Sequence, residues 1–197
     1  MSFTIVESKL KNVFLGEHRY YLNNSNTKYV SISLSVDHNY MPVIAISGCK
    51  NDCVVFNEKQ WCEFLSFKQN IDIFLNNGPP HDDPIDATQF NIEFKEFQQS
   101  RALKICTGDS CVFLGAKSVE SLWRYIPIIQ GRLEILKKQE FTNSLKILQA
   151  GVRGVVDISS SAMQVLEPIK HINSEMYSIF LEIVYKFPEL LKDDVEA

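Results

Sequence analysis

The sequence predicts an α+β protein: two sheet-and-helix repeats in tandem, each of the ββββα type, followed by a helical C-terminal segment. Three observations carry this. Val30, Ile32 and Leu34 alternate with Ser31, Ser33 and Ser35, the period of a strand with one dry and one wet face. The period changes to helical spacing after Asn57. The same order then returns roughly 60 residues later, after a proline-rich break.

The first repeat opens on a strand over Val13–Leu22, the turn NNSNT and a second strand over Lys28–Val36. Pro42–Gly48 reads as a third strand, CKND as a turn and CVVF as a short fourth strand. Asn57 with Gln60 fits a capping box, and Trp61, Phe64, Leu65, Phe67, Ile71, Phe74 and Leu75 recur at helical spacing. The expectation is one amphipathic helix over Glu58–Leu75. It stops at Asn76–Pro84, where a glycine and three prolines prohibit continuation. That break divides the chain into 1–80, 81–139 and 140–197.

In the second repeat Phe90, Ile92 and Phe94 alternate with Asn91, Glu93 and Lys95. Arg101–Cys106, the turn TGDS and the strand CVFLG follow. Ser118 is placed to cap a helix carrying Val119, Leu122, Trp123, Ile126 and Ile129, with a kink expected at Pro127. Only DPIDATQ is left to supply a first strand, so this sheet should be shorter on that side. From Thr142 on, the chain reads as helices broken at Pro168 and Pro188, the last with an apolar stripe of Met176, Ile179, Phe180, Ile183, Val184 and Phe187.

Composition narrows the function. No apolar run approaches the roughly 20 residues that span a bilayer, and the start MSFTIVESKLKN lacks the apolar core of a signal peptide. A nuclear or cytoplasmic protein without membrane attachment is expected. Its five cysteines should then stay reduced, so a disulfide framework is not expected. The pairs Cys49/Cys53 and Cys106/Cys111 each bracket a hairpin turn, without C-x-x-C spacing or a neighbouring histidine, and read as turn-flanking thiols rather than metal ligands.

Catalysis finds no support. There is no Gly-rich phosphate loop, H-E-x-x-H or G-x-S-x-G, and His18, His38, His81 and His171 are scattered. The GxxG around Arg153 lacks the strands and helices of a nucleotide-clamping loop and reads as a helix–helix turn. No catalytic residue, cofactor or metal is expected.

The net charge of −4 argues against a polybasic nucleic-acid binder. It is unevenly spread. Residues 1–80 balance seven Lys+Arg against seven Asp+Glu, 81–141 carry eight against nine, and 142–197 carry five against eight. The acidity thus lies mostly outside the repeats.

Within KEFQQSRALK, Lys95 and Phe97 fall on the strand face opposite Ile92 and Phe94, which places an aromatic ring beside a cation away from the core. Single-stranded nucleic acid needs that pairing: a π-face to stack a base and a charge to hold phosphate. Arg101 and Lys104 extend the charge along the next strand.

Specific residues carry a family likeness. Tyr29-Val30-Ser31-Ile32, Val43-Ile44-Ala45-Ile46, and Val54-Val55-Phe56-Asn57 with Gln60, Trp61 and Leu65 follow one motif order. That order resembles the single-stranded-DNA-binding domain of the transcriptional coactivator positive cofactor four. Its motif runs Tyr-Val-Ser-Val-Arg-x-Phe-Lys-x-Lys, then Val-Leu-Ile-Asp-Ile, then Ile-Ser-Leu-Asn-x-x-Gln-Trp-x-x-Leu. In repeat one the family's binding Arg and Phe fall on Ser33 and Ser35. In repeat two Lys95 stands at the Arg, Phe97 at the Phe, Gln98 at the first Lys, and Arg101 near the second after a one-residue insertion. There the helix begins at Ser118, with Leu122 at the family's Trp and Trp123 one place on. His18–Ile32 also resembles the opening strands of Pur-alpha repeats, and Whirly repeats share the topology.

The resemblance covers the two repeats and leaves the helical tail out. It implies an intramolecular pseudo-dimer with packed helices, Trp61 and Trp123 near their contact, and one sheet face that binds single strands. The expected function is a non-catalytic single-stranded nucleic-acid-binding protein, DNA favoured over RNA, acting in transcription, replication or repair. Its contact residues are Lys95, Phe97, Gln98, Arg101 and Lys104, with Arg19 and Lys28 from repeat one. The alternative is an interaction scaffold that self-assembles or recruits a protein partner through the C-terminal helices.

Overall fold

The computed structural model describes residues 13–49, 52–76, 83–97, 100–137 and 141–192. Strands β1 (Phe14–Tyr21), β2 (Tyr29–Ser35), β3 (Met41–Ser47) and β4 (Cys53–Phe56) form one four-stranded sheet in that order. Strands β5 (Ile85–Asp86), β6 (Asn91–Phe97), β7 (Ser100–Thr107) and β8 (Ser110–Gly115) form a second. Helices α1 (Glu58–Ser66) and α2 (Lys68–Leu75) follow the first sheet, and α3 (Ala116–Lys137) follows the second. Helices α4 (Phe141–Gly151), α5 (Ala162–Leu166) and α6 (Ser174–Lys186) follow. The class is α+β with two tandem sheet–helix units and C-terminal helices, and β5, with two residues, is the short counterpart of β1.

Local chemistry sets the boundaries. The Asn23 side chain organises the β1–β2 turn: its Oδ1 accepts from the Thr27 and Lys28 amides at 3.0 and 3.1 Å, and its Nδ2 donates to Ser25 and Thr27. The capping box forms at α1, with Gln60 N donating to Asn57 Oδ1 at 2.9 Å and Asn57 N donating to Gln60 Oε1 at 2.7 Å. The single helix expected over Glu58–Leu75 is instead two. Phe67 N–H bonds back three residues to Phe64, a tightened turn, and α2 restarts with Ile71 N–H on the Phe67 carbonyl. Helix α3 begins at Ala116, two residues before the expected Ser118 cap, and continues through Pro127.

The dry-and-wet reading of β2 is corrected. Ser31 and Ser33 are 0 % exposed, as are Val30 and Ile32, so both faces of β2 are covered. Alternation of small hydroxyls with branched apolar residues is compatible with a doubly covered strand, because serine is small enough to pack on either side. The two hydroxyls make no hydrogen bond among the described residues, an energetic cost of roughly 1–3 kcal/mol each.

The expectation of reduced cysteines is corrected for one pair. Cys106 and Cys111 are directly opposed across the β7–β8 hairpin, their Cα atoms 4.2 Å apart, and form a disulfide. Register supplies the proximity that spacing alone did not show: the Thr107–Ser110 pair closes the hairpin and sets the two cysteines opposite one another. Gly108 supplies the turn's positive φ of 55°. Cys49, Cys53 and Cys62 remain free thiols.

Two compact units emerge. The larger comprises 17–33 and 42–134 and draws its core from both repeats. Phe56, Trp61 and Phe64 of the first repeat meet Phe90 and Trp123 of the second, with ring centroids 5.3 Å (Phe56–Phe90) and 5.7 Å (Phe64–Trp123) apart. Trp61 is buried, and half-buried Trp123 donates its indole N–H to Asp72 at 2.7 Å. Helix α2 lies on the second sheet, with Phe74 4.9 Å from Phe94.

The smaller unit holds the described residues up to Gly16, Leu34–Met41 and the chain from Ile135. The α6 residues Met176, Ile179, Phe180, Ile183 and Val184 are buried, and Phe180 stacks on Phe141 at 4.9 Å. The α6 stripe is therefore covered by the chain itself. Gly16, at φ 60°, fits under α6 because a Cβ there would stand 2.7 Å from Ile179 Cγ1, and its amide donates to Glu182 at 2.8 Å.

Candidate nucleic-acid interface

Strand parity builds the site. In β6, Ile92 is buried and Phe94 meets α2, which turns Glu93, Lys95 and Phe97 to the opposite, outer face. Register then sets their neighbours on that face. Glu93 stands opposite Lys104, and Lys104 opposite Phe113; Lys95 stands opposite Ala102, and Ala102 opposite Gly115. The Ala102–Gly115 row is low because its side chains are small or absent, and a Cβ added at Gly115 would meet open space. Phe97 at 53 % exposure and Phe113 at 44 % rise on either side of it.

The result is a cleft of about 840 Å³ with Phe97, Ser100, Ala102, Phe113 and Gly115 among its walls and floor. Lys28, Arg101 and Lys117 line it, against one carboxylate, Glu96. The Lys28 ammonium donates to the Phe113 carbonyl at 2.6 Å, a neutral partner, and makes no ion pair among the described residues. Two solvent-facing rings above a small-residue floor with cations at the rim can hold a flat aromatic group and an adjacent anion.

The residues singled out from sequence have different fates. Lys95 and Lys104 share the outer face with Phe97, as parity predicts, but both ammonium groups are held by Glu93, at 2.5 and 2.7 Å. These contacts, Lys104 first, hold the Glu93 carboxyl below the usual carboxylate range. Arg101 lies on the opposite side of β7 from Lys104, since three residues along a strand reverse the face. Its guanidinium donates to the Phe74 carbonyl at 2.8 Å and sits 4.9 Å from the Phe74 ring centroid, reaching the cleft from its α2 side.

Lys28 joins the cleft from repeat one. Arg19 does not: it pairs with Glu17 at 2.6 Å and lies 4.6 Å over the Tyr29 ring. The hydrogen bond from Arg19 to Glu17 raises the already high arginine pKa. Gln98 lies outside the described residues.

Phe113 and Lys117 are the cleft residues that sequence reasoning missed. The signal for Phe113 was present, because Val112 and Leu114 point inward and parity turns Phe113 out. Lys117 needed the α3 start, which the assumed Ser118 cap displaced.

Among the described residues, no group of three or more His, Cys, Asp or Glu side chains is placed to hold a metal ion. No helix among them is long and apolar enough to cross a membrane. No family model, curated protein or solved structure matches the chain, so its geometry alone speaks for its function.

Proposed function

We propose that this chain binds single-stranded nucleic acid, with DNA favoured, in the cleft between Phe97 and Phe113, and acts without catalysis on unpaired strands in transcription, replication or repair. One observation carries the reading: two half-exposed aromatic rings flank a small-residue floor whose lining cations outnumber its single carboxylate. A base stacks against Phe97 or Phe113, and Lys28 and Lys117 neutralise the flanking phosphates. Every base has a π-face, so such a site is sequence-tolerant, and few phosphates are neutralised, so salt dependence is modest.

The test is fluorescence anisotropy of labelled oligothymidylate and oligouridylate, titrated with salt. Low-salt binding that weakens with salt is expected, as is a loss of about tenfold or more for Phe97→Ala and for Phe113→Ala, since one base–aromatic stack contributes about 1–3 kcal/mol. Absence of binding to either oligonucleotide at low salt sinks the proposal and favours a role in binding protein partners.

A further inference from the structure

A second cleft of about 700 Å³ lies in the same compact unit, and Lys117 lines both. Its walls are the end of β1, with Tyr21, the β1–β2 turn, with Asn23 and Ser25, and the exposed side of α3, with Arg124 and Tyr125. Tyr21 is 45 % exposed and Arg124 is exposed. Tyr125 is backed by Tyr20, with ring centroids 5.4 Å apart. Arg124 donates to Ser121 at 3.2 Å, and the single acidic lining residue is Glu120. The turn is held in place by the Asn23 hydrogen bonds, so this wall needs no ordering on binding.

We infer that a bound single strand runs on from the Phe97–Phe113 cleft, past Lys117, into this second cleft, where Tyr21 stacks a base and Arg124 holds a phosphate. The inference rests on the nucleic-acid reading of the first cleft and extends it to a longer occluded strand. Three features support it: Lys117 as a lining residue common to both clefts, an excess of cations in each, and an exposed aromatic in each.

The experiment compares labelled oligothymidylates of about 4 and about 12 nucleotides, within the usual span of single-strand sites. Measurements use the full chain and the variants Tyr21→Ala, Arg124→Ala and Arg124→Glu, with thermal melts confirming that each folds. Wild type binds the longer strand at least tenfold more tightly. The variants lose about five- to tenfold of that gain, Arg124→Glu most, and bind the short strand as wild type does. If all three variants retain wild-type affinity for the longer strand, the second cleft is not used, while the Phe97–Phe113 reading stands. If wild type binds neither strand at low salt, both readings fall together.

Discussion

The Arg101 guanidinium donates to the Phe74 carbonyl at 2.8 Å while lying 4.9 Å from the centre of the Phe74 ring. One side chain thus ties β7 to the last turn of α2, supplying a cation where a helix has unpaired carbonyls and a negative dipole end. The cleft-lining residue chosen from sequence as a phosphate contact thus also joins helix to sheet. Arg101→Ala should lower stability by about 1–3 kcal/mol, a loss of several degrees in Tm. Arg101→Lys should recover only part, because an ammonium lacks the planar fork. Differential scanning calorimetry checks this, and single-strand affinity should fall less than for Phe97→Ala.

Glu93 masks two lysines. Its folded pKa is depressed, so the stability of its ion pairs is present above the ordinary carboxylate range and is lost as pH falls through the lowered folded value. Glu93→Gln should cost less than about 1 kcal/mol, since both pairs are partly exposed to solvent. It should tighten oligonucleotide binding about two- to tenfold at low salt and steepen the salt dependence by about 0.7 for each additional phosphate contact. Wild-type affinity should rise likewise below the usual carboxylate range while the protein stays folded. A salt titration of the variant at neutral pH reads this directly.

The floor of the cleft is low at Gly115, where an added Cβ meets open space. Gly115→Val should therefore be tolerated or mildly stabilising in a strand, within about 1 kcal/mol. It should still weaken single-strand binding by about tenfold, by filling the space between Phe97 and Phe113. A melt alongside an anisotropy titration separates occlusion from misfolding.

The Cys106–Cys111 bridge predicts a thiol count. Under denaturing conditions without reductant, Cys49, Cys53 and Cys62 should react and the other two should not; after reduction all five should. Burial holds the Cys53 thiol above its ordinary pKa, so in the folded protein it should react more slowly than exposed Cys49 and Cys62. Reduction should cost about 2 kcal/mol or less, because the bridge closes a short loop. Fully reactive cysteines in unreduced protein would show the bridge absent in solution.

Much of this was legible along the chain. Period-two alternation placed β2 and β6, and the helical spacing from Trp61 to Leu75 placed the helices, because each pattern is a direct projection of backbone geometry. Strand parity also held the information that separates Arg101 from Lys104 and turns Phe113 outward. Other features are tertiary. The burial of Ser31 and Ser33 depends on what covers the sheet, the approach of Lys28 to Phe113 spans 85 residues, and the break at Phe67 trades one hydrogen bond for another. Nothing local to those residues encodes such outcomes.

The sealed serine face of β2 has a consequence for stoichiometry. The two tandem units supply two outer sheet faces; the Ser31–Ser33 side is covered, and the Phe97–Phe113 side is open. On the proposed nucleic-acid reading, one chain is then expected to hold one strand on a sheet, and bridging two strands to require two chains.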